Sequence, residues 1–84
     1  MGRILIVDDE PRIVSFVARA LTAAGYGVDA AHDGEQGLAR ARTGVYDLVV
    51  LDLRMPKVDG NSVLDRLVAE RPGLPVVVLS AIGD

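Results

Sequence analysis

The chain has no cysteine in its 84 residues and a single histidine, His32. The lack of cysteine excludes disulfides, thiolate catalysis and zinc sites built on sulfur. His32 falls at a predicted strand edge before a turn, where a surface position without function is the simplest interpretation. A metal site in this chain would therefore be built from oxygen ligands, which favours Mg²⁺ or Mn²⁺ over zinc.

Long hydrophobic runs and an excess of positive charge are also missing. The longest apolar runs are far too short to span a bilayer, and Arg3 at the start of the first predicted strand argues against a secretory signal. A net charge of −3 gives no indication of direct nucleic-acid or anionic-membrane contact. The length predicts one small domain over residues 1–84. Half of the residues are hydrophobic and a quarter are charged, as is ordinary for a globular domain. With neither a signal nor a membrane span in the pattern, we expect a cytoplasmic chain.

Apolar patterns predict seven elements in the order βαβαβαβ. Strands are predicted over residues 3–7, 26–31, 46–52 and 76–79, and helices over 11–24, 35–42 and 60–70. Alternation at this spacing indicates an α/β fold, a doubly wound parallel sheet with helices on both faces. The winding suggests the strand order 2-1-3-4. In the first helix the apolar residues predicted to face inward are Ile13, Phe16, Val17, Ala20, Leu21 and Ala24.

The stretch VVLDLRMPKVDG, residues 49–60, is the centre of the sequence. An unbroken apolar run ends at Asp52, as expected of a strand buried on both faces. Because burying a lone carboxylate is costly, Asp52 should lie at the carboxyl end of that strand, facing a polar cleft. Pro56 then stops the strand, and Asp59 and Gly60 turn the chain into the next helix.

Three predicted strands end in polar residues. Asp8 and Asp9 follow the first strand, Asp52 ends the third, and Ser80 follows the fourth. Carboxyl ends of neighbouring parallel strands open on one crevice, where ligands bind. Clustered carboxylates raise one another's pKa, and a divalent cation relieves the conflict. A phosphoryl group could complete its shell while Asp52 attacks phosphorus.

Each of these residues also has a plain structural interpretation. Asp8 and Asp9 could cap the first helix, Asp52 could be a turn carboxylate, and Ser80 could simply end its strand. The conjunction at three strand ends is harder to explain as structure alone.

The chain resembles the receiver domain of bacterial two-component response regulators. The matching motifs are ILIVDDE at residues 4–10, LVVLDLRMPKVDG at 48–60 and PVVVLSA at 75–81, and the resemblance runs along the whole chain in family order. It is closest in type to regulators with a downstream winged-helix DNA-binding domain, so the implied function is phosphoryl acceptance from a sensor histidine kinase, with transcription as output. The family is not one of enzymes in the usual sense.

The resemblance also implies roles for individual residues. Asp52 would be the phosphoacceptor, Asp8 and Asp9 would bind Mg²⁺, and the main-chain carbonyl of Arg54 would be a further metal ligand. Ser80 would be the switch hydroxyl that moves towards the phosphoryl oxygens.

The sequence departs from the family pattern after Asp84. Family members continue with a further helix, a fifth strand that carries a pocket lysine, and a final helix, so the resemblance implies an incomplete receiver. The fourth strand, Val76 to Leu79, would then be an apolar edge, and we expect the 84-residue chain to self-associate.

Other classes of protein fit the sequence less well. Haloacid-dehalogenase-type hydrolases also use a strand-end aspartate, but they need a second aspartate where this chain has Arg54. A dinucleotide-binding domain needs a glycine-rich turn after the first strand, where this chain has Asp8, Asp9 and Glu10. A stand-alone or truncated receiver, acting as a phosphorelay or protein-interaction module without output of its own, remains an alternative.

Overall fold

A computed structural model describes residues 2–55 and 59–79 of the chain. Strands and helices alternate along these residues as the sequence predicts. The strands are β1 (Arg3–Val7), β2 (Gly27–Ala31), β3 (Leu48–Asp52) and β4 (Val76–Leu79). The helices are α1 (Pro11–Ala23), α2 (Gly34–Ala41) and α3 (Gly60–Glu70). Thus β2 and β3 begin slightly later than predicted, and Tyr46 precedes β3.

The strands form one parallel sheet in the order β2-β1-β3-β4, which confirms the predicted winding. β1 and β3 are direct neighbours, paired from Ile4 with Leu48 to Val7 with Leu51. β4 pairs with β3 on its other side. The two strands that end in acidic residues therefore lie side by side at the centre of the sheet.

Alternating side chains of the central strands bury an apolar layer on each face of the sheet. Leu5, Val7, Val49 and Leu51 pack against α2 and α3 on one face. Ile4, Ile6 and Val50 pack against α1 on the other. Such two-sided burial is the reason that these strands carry unbroken apolar runs.

The inward face predicted for α1 is partly wrong. Ile13 and Phe16 are 41% and 74% exposed, whereas Val14 is buried and Val17 packs beside it. The helix is apolar around much of its circumference, so its pattern fits two faces that differ by one residue of rotation, about 100°. Helical spacing alone cannot distinguish these two faces.

The ends of α1 follow the sequence closely. Pro11 occupies its first turn, and the side chain of Glu10 caps it by accepting a hydrogen bond from the Arg12 N–H at 3.1 Å. Just beyond the helix, Gly25 has φ = 99°, in the left-handed region that glycine adopts without steric cost. The predicted stop at Gly25 is confirmed.

Candidate metal centre

Strand register brings the acidic residues of β1 and β3 together. Asp8 and Asp52 each lie one residue beyond the paired residues Val7 and Leu51. Together with Asp9, they offer carboxylate oxygens that all lie within 4.8 Å of one another. The sequence-predicted cluster therefore exists in the fold, at the carboxyl edge of the sheet.

Asp8 is the most constrained member of the cluster, with only 2% of the residue exposed. Its Oδ1 accepts a hydrogen bond from the Glu10 N–H at 2.8 Å. Burial raises the pKa of the Asp8 carboxyl above its usual range, and the nearby carboxylates of Asp52 and Asp9 raise it further, against the opposing effect of the Glu10 N–H. The ionised form of Asp8 is thus held at a cost in free energy that a nearby cation would remove.

Helix capping does not account for these aspartates. The residue that caps α1 is Glu10, through its own side chain. Asp8 instead accepts a hydrogen bond from the Glu10 N–H before the helix begins. The capping interpretation of Asp8 and Asp9 is therefore wrong for this chain.

Asp52 is the last residue of β3 and is half-buried. Its Oδ1 accepts a hydrogen bond from the Arg54 N–H at 2.9 Å, which ties the carboxylate to the segment that leaves the strand. Arg54 in turn pairs with Asp59 in an isolated antiparallel bridge. Asp59 caps α3 by accepting a hydrogen bond from the Asn61 N–H at 3.0 Å.

The donor set of this cluster fits a hard divalent cation. Three carboxylates of different burial converge at one end of the sheet, with no histidine or cysteine among the ligand residues. Such all-oxygen sets suit Mg²⁺ or Mn²⁺, and Mg²⁺ retains several of its waters when protein ligands are few. The predicted switch residue Ser80 and the loop residue Pro56 lie outside the described residues.

Sequence reasoning missed a polar network near the amino ends of the strands. The Tyr46 hydroxyl donates to Asp29 Oδ2 at 2.7 Å, and Arg3 Nη2 donates to the same oxygen at 2.8 Å. Arg3, followed by Tyr46, holds the pKa of the Asp29 carboxyl below its ordinary value. The available signal was a charged residue in the middle of β2, but its partners depend on the register between strands.

Comparison with known families gives a match along nearly the whole chain. A family model described as the response regulator receiver domain matches residues 4–84. The chain belongs to this family.

Curated relatives of this receiver domain are longer proteins. The transcriptional regulatory protein TcrA of Mycobacterium tuberculosis is 46% identical over 81 residues, covering 96% of this chain and 32% of the relative. The transcriptional regulatory protein CusR of Escherichia coli is 38% identical, covering 96% of this chain and 36% of the relative. The receiver domain thus spans about a third of the length of these relatives.

Solved structures share the fold closely. The response regulator TrrA of Thermotoga maritima, in complex with Mg²⁺ and BeF, matches with a TM-score of 0.93 and 37% identity over 99% of this chain and 72% of its own. The complex of TrrA with the histidine kinase ThkA matches with a TM-score of 0.91 at 37% identity, over all of this chain and 72% of that one. Among the described residues of our chain, no helix has the length and apolar character to cross a membrane.

Proposed function

We propose that Asp52 accepts a phosphoryl group from a sensor histidine kinase in a reaction that depends on Mg²⁺, for which Mn²⁺ can substitute. The observation that carries this proposal is the convergence of the Asp8, Asp9 and Asp52 carboxylates within 4.8 Å. Receiver domains are phosphoacceptors and not enzymes in the usual sense. The complexes of TrrA with Mg²⁺ and BeF, and with a histidine kinase, support the same roles here.

A main-chain hydrogen bond orients the carboxylate of Asp52, the proposed nucleophile. Its Oδ1 accepts the hydrogen bond from the Arg54 N–H. An oxygen–phosphorus bond forms as the bond between phosphorus and the donor breaks. The hydrogen bond to Oδ1 fixes the carboxylate group before the attack, which lowers the entropic part of the barrier.

Asp8 and Asp9 are proposed as the metal ligands, together with Asp52 and the main-chain carbonyl of Arg54. When bound, the divalent cation offsets the negative charges of the carboxylates and of the phosphoryl oxygens. Burial of Asp8 keeps one of these ligands away from bulk water, where competing solvation would weaken the site. Ser80 is proposed as the hydroxyl that moves towards the phosphoryl oxygens.

We propose control of transcription as the output, exerted through a DNA-binding part of a longer protein, in the cytoplasm. Both relatives described above are named as transcriptional regulatory proteins, and the chain spans about a third of their length. The receiver itself would not contact DNA. A phosphorelay or protein-interaction module without its own output is the alternative, and it has the same acidic cluster.

Self-association of the 84-residue chain through β4 is also proposed. In the sheet formed by the described residues, β4 pairs only with β3. Val77 and Val78 are 47% and 38% exposed on this strand. An apolar, uncharged strand edge is a template for pairing with a strand of another chain.

Intact-mass spectrometry tests the phosphoacceptor directly. With a small phosphodonor and Mg²⁺, the wild type should gain the mass of one phosphoryl group, and Asp52→Asn should gain none, because an amide oxygen is a far weaker nucleophile than a carboxylate. Asp65→Asn, a change of the same chemistry at an exposed position of α3, should be labelled like the wild type. Equal labelling of Asp52→Asn would place the chemistry elsewhere.

A further inference from the structure

Gly60, the first residue of α3, packs directly against the main chain where it leaves β3. A Cβ atom at this position would lie 2.3 Å from Leu53 Cα and 2.6 Å from the Leu53 carbonyl oxygen. Both are main-chain atoms and cannot swing aside as the end of a flexible side chain could. Even the smallest side chain at position 60 therefore requires either Leu53 or α3 to move.

The segment that Gly60 touches leads directly into the acidic cluster. Leu53 lies between Asp52 and Arg54, and the Arg54 N–H donates the 2.9 Å hydrogen bond to Asp52 Oδ1. The bridge between Arg54 and Asp59 closes the segment immediately before Gly60. A shift of Leu53 would therefore be passed on to the hydrogen bond that orients Asp52.

The body of α3 is anchored at several points along its length. Val63 and Leu67 are only 1% and 2% exposed and pack into the sheet core. At the far end of α3, Glu70 accepts two hydrogen bonds from the Arg42 guanidinium, at 2.6 and 3.0 Å. The Leu53 N–H donates a longer hydrogen bond, of 3.3 Å, to the Leu79 carbonyl oxygen. A clash at Gly60 should therefore be relieved by displacing Leu53 and Arg54, since moving the helix would disturb the buried contacts of Val63 and Leu67.

We propose that Gly60 is a positioning residue of the metal centre, in which close contact between α3 and Leu53 sets the Arg54 main chain relative to Asp52. The part of this inference that concerns metal affinity rests on the proposed function. The part that concerns the Arg54–Asp52 hydrogen bond does not depend on any metal.

Two alanine substitutions at glycines separate this role from a general effect of the added methyl group. Gly60→Ala should shift the Arg54 amide resonance in the metal-free NMR spectrum and should weaken Mg²⁺ binding by about tenfold or more, the usual cost of disturbing the support of a metal ligand. Gly73→Ala adds the same methyl group where no atom lies within 4 Å. It should leave both the Arg54 amide and Mg²⁺ binding at wild-type values.

A third variant controls for lost stability. Val63→Ala removes buried volume from the same helix without adding an atom near Leu53, so it should lower the melting temperature and leave Mg²⁺ affinity within about twofold of the wild type. A drop in Mg²⁺ affinity for Val63→Ala as large as that for Gly60→Ala would overturn the proposal. So would a Gly60→Ala chain with wild-type Arg54 amide and Mg²⁺ affinity, or one that stays unfolded in a stabilising osmolyte, because the clash would then not be absorbed beside Asp52.

Mg²⁺ binding by the wild type tests the proposed function, whereas the Arg54 amide resonance of metal-free Gly60→Ala tests the role of Gly60. Failure of the wild type to bind Mg²⁺ would contradict the proposed function. The position of the Arg54 amide in metal-free Gly60→Ala would still decide whether Gly60 sets the Arg54 main chain.

Discussion

At the scale of single residues, the ionised carboxylate of Asp8 is unfavourable for folding and is the form proposed to bind the metal. Folding buries its carboxyl group almost completely, beside two other carboxylates. Burial and these neighbours raise its pKa, so the folded chain holds the Asp8 proton more tightly than the unfolded chain does. In the metal-free protein, an ionised Asp8 therefore opposes folding.

Asp8→Asn should consequently stabilise the metal-free protein and weaken its Mg²⁺ binding. At pH 7 with a chelator, we expect the free energy of unfolding to rise by about 1 kcal/mol, because the amide keeps an oxygen for the Glu10 N–H and carries no charge. Mg²⁺ affinity should fall by about tenfold or more. Chemical denaturation and metal titration of the same samples measure the two effects.

The pH dependence of the Asp8→Asn effect fixes its cause. A carboxyl whose folded-state pKa is raised imposes no penalty while it is protonated. The penalty appears as pH rises above the pKa of the unfolded chain, about 3.9, and levels off above the raised pKa. The stability advantage of Asp8→Asn should therefore vanish as pH falls towards 4. An advantage that is equally large at pH 4 would point to packing and not to charge.

Sequence reasoning succeeded for residues whose position follows from strand ends and failed for those that depend on register. Asp8 and Asp52 could be placed together because parallel strands bring their carboxyl ends to one edge. The contact between Tyr46 and Asp29 could not be predicted, since it joins β2 to the segment before β3 across β1. The packing of Gly60 on Leu53 was also missed, because a glycine before a helix is ordinarily explained by its turn alone.

At the scale of elements, α1 shows which face of a largely apolar helix is structural. Val14 is buried against the sheet, whereas Phe16, two residues further on, is mostly exposed. The larger and more hydrophobic side chain is therefore not the one that holds the helix in place. The contribution of each residue to the free energy of unfolding depends on how much of its side chain the sheet buries, and not on its hydrophobicity alone.

Val14→Ala and Phe16→Ala test this assignment as a pair. Val14→Ala should lower the free energy of unfolding by about 2 kcal/mol, from lost burial and the resulting cavity. Phe16→Ala should change it by less than about 0.5 kcal/mol, as is usual for exposed positions. Urea denaturation of both variants measures the difference. A larger loss in the free energy of unfolding for Phe16→Ala than for Val14→Ala would instead support the inward face predicted from the sequence.

At the scale of the whole molecule, the order of strands and helices was predictable and the covering of the sheet was not. The apolar patterns predict strands that alternate with helices. Because the crossover between parallel strands is right-handed, few arrangements of the strands are possible. The pattern Val-Val-Val-Leu of β4 predicts a strand but does not say which surface covers it. In the described sheet, this strand lies at one edge with Val77 nearly half exposed.

Self-association through β4 should be sensitive to charge at this edge. For the 84-residue chain, the apparent mass in analytical ultracentrifugation should rise with protein concentration, and Val77→Lys should suppress the rise because a charged edge resists strand pairing. Val45→Lys places the same charge at a valine that is 53% exposed outside the sheet. It should leave the association unchanged. A wild type that stays monomeric at tens of micromolar would refute the proposed assembly.

The pairing of β1 with β3 has a further consequence, for the way this domain tolerates insertions and deletions. Ile4 pairs with Leu48, Asp8 lies four residues after Ile4, and Asp52 lies four residues after Leu48. The two carboxylates therefore meet only because the number of residues from the paired position to the aspartate is the same in both strands. Loss of a single residue within either count would turn one aspartate to the opposite face of the sheet, even if the strands still paired. The loops at the other edge of the sheet hold no member of the acidic cluster, so a change in their length leaves the meeting of the two carboxylates intact. Related sequences should therefore differ in length there, while the spacing within β1 and β3 stays fixed.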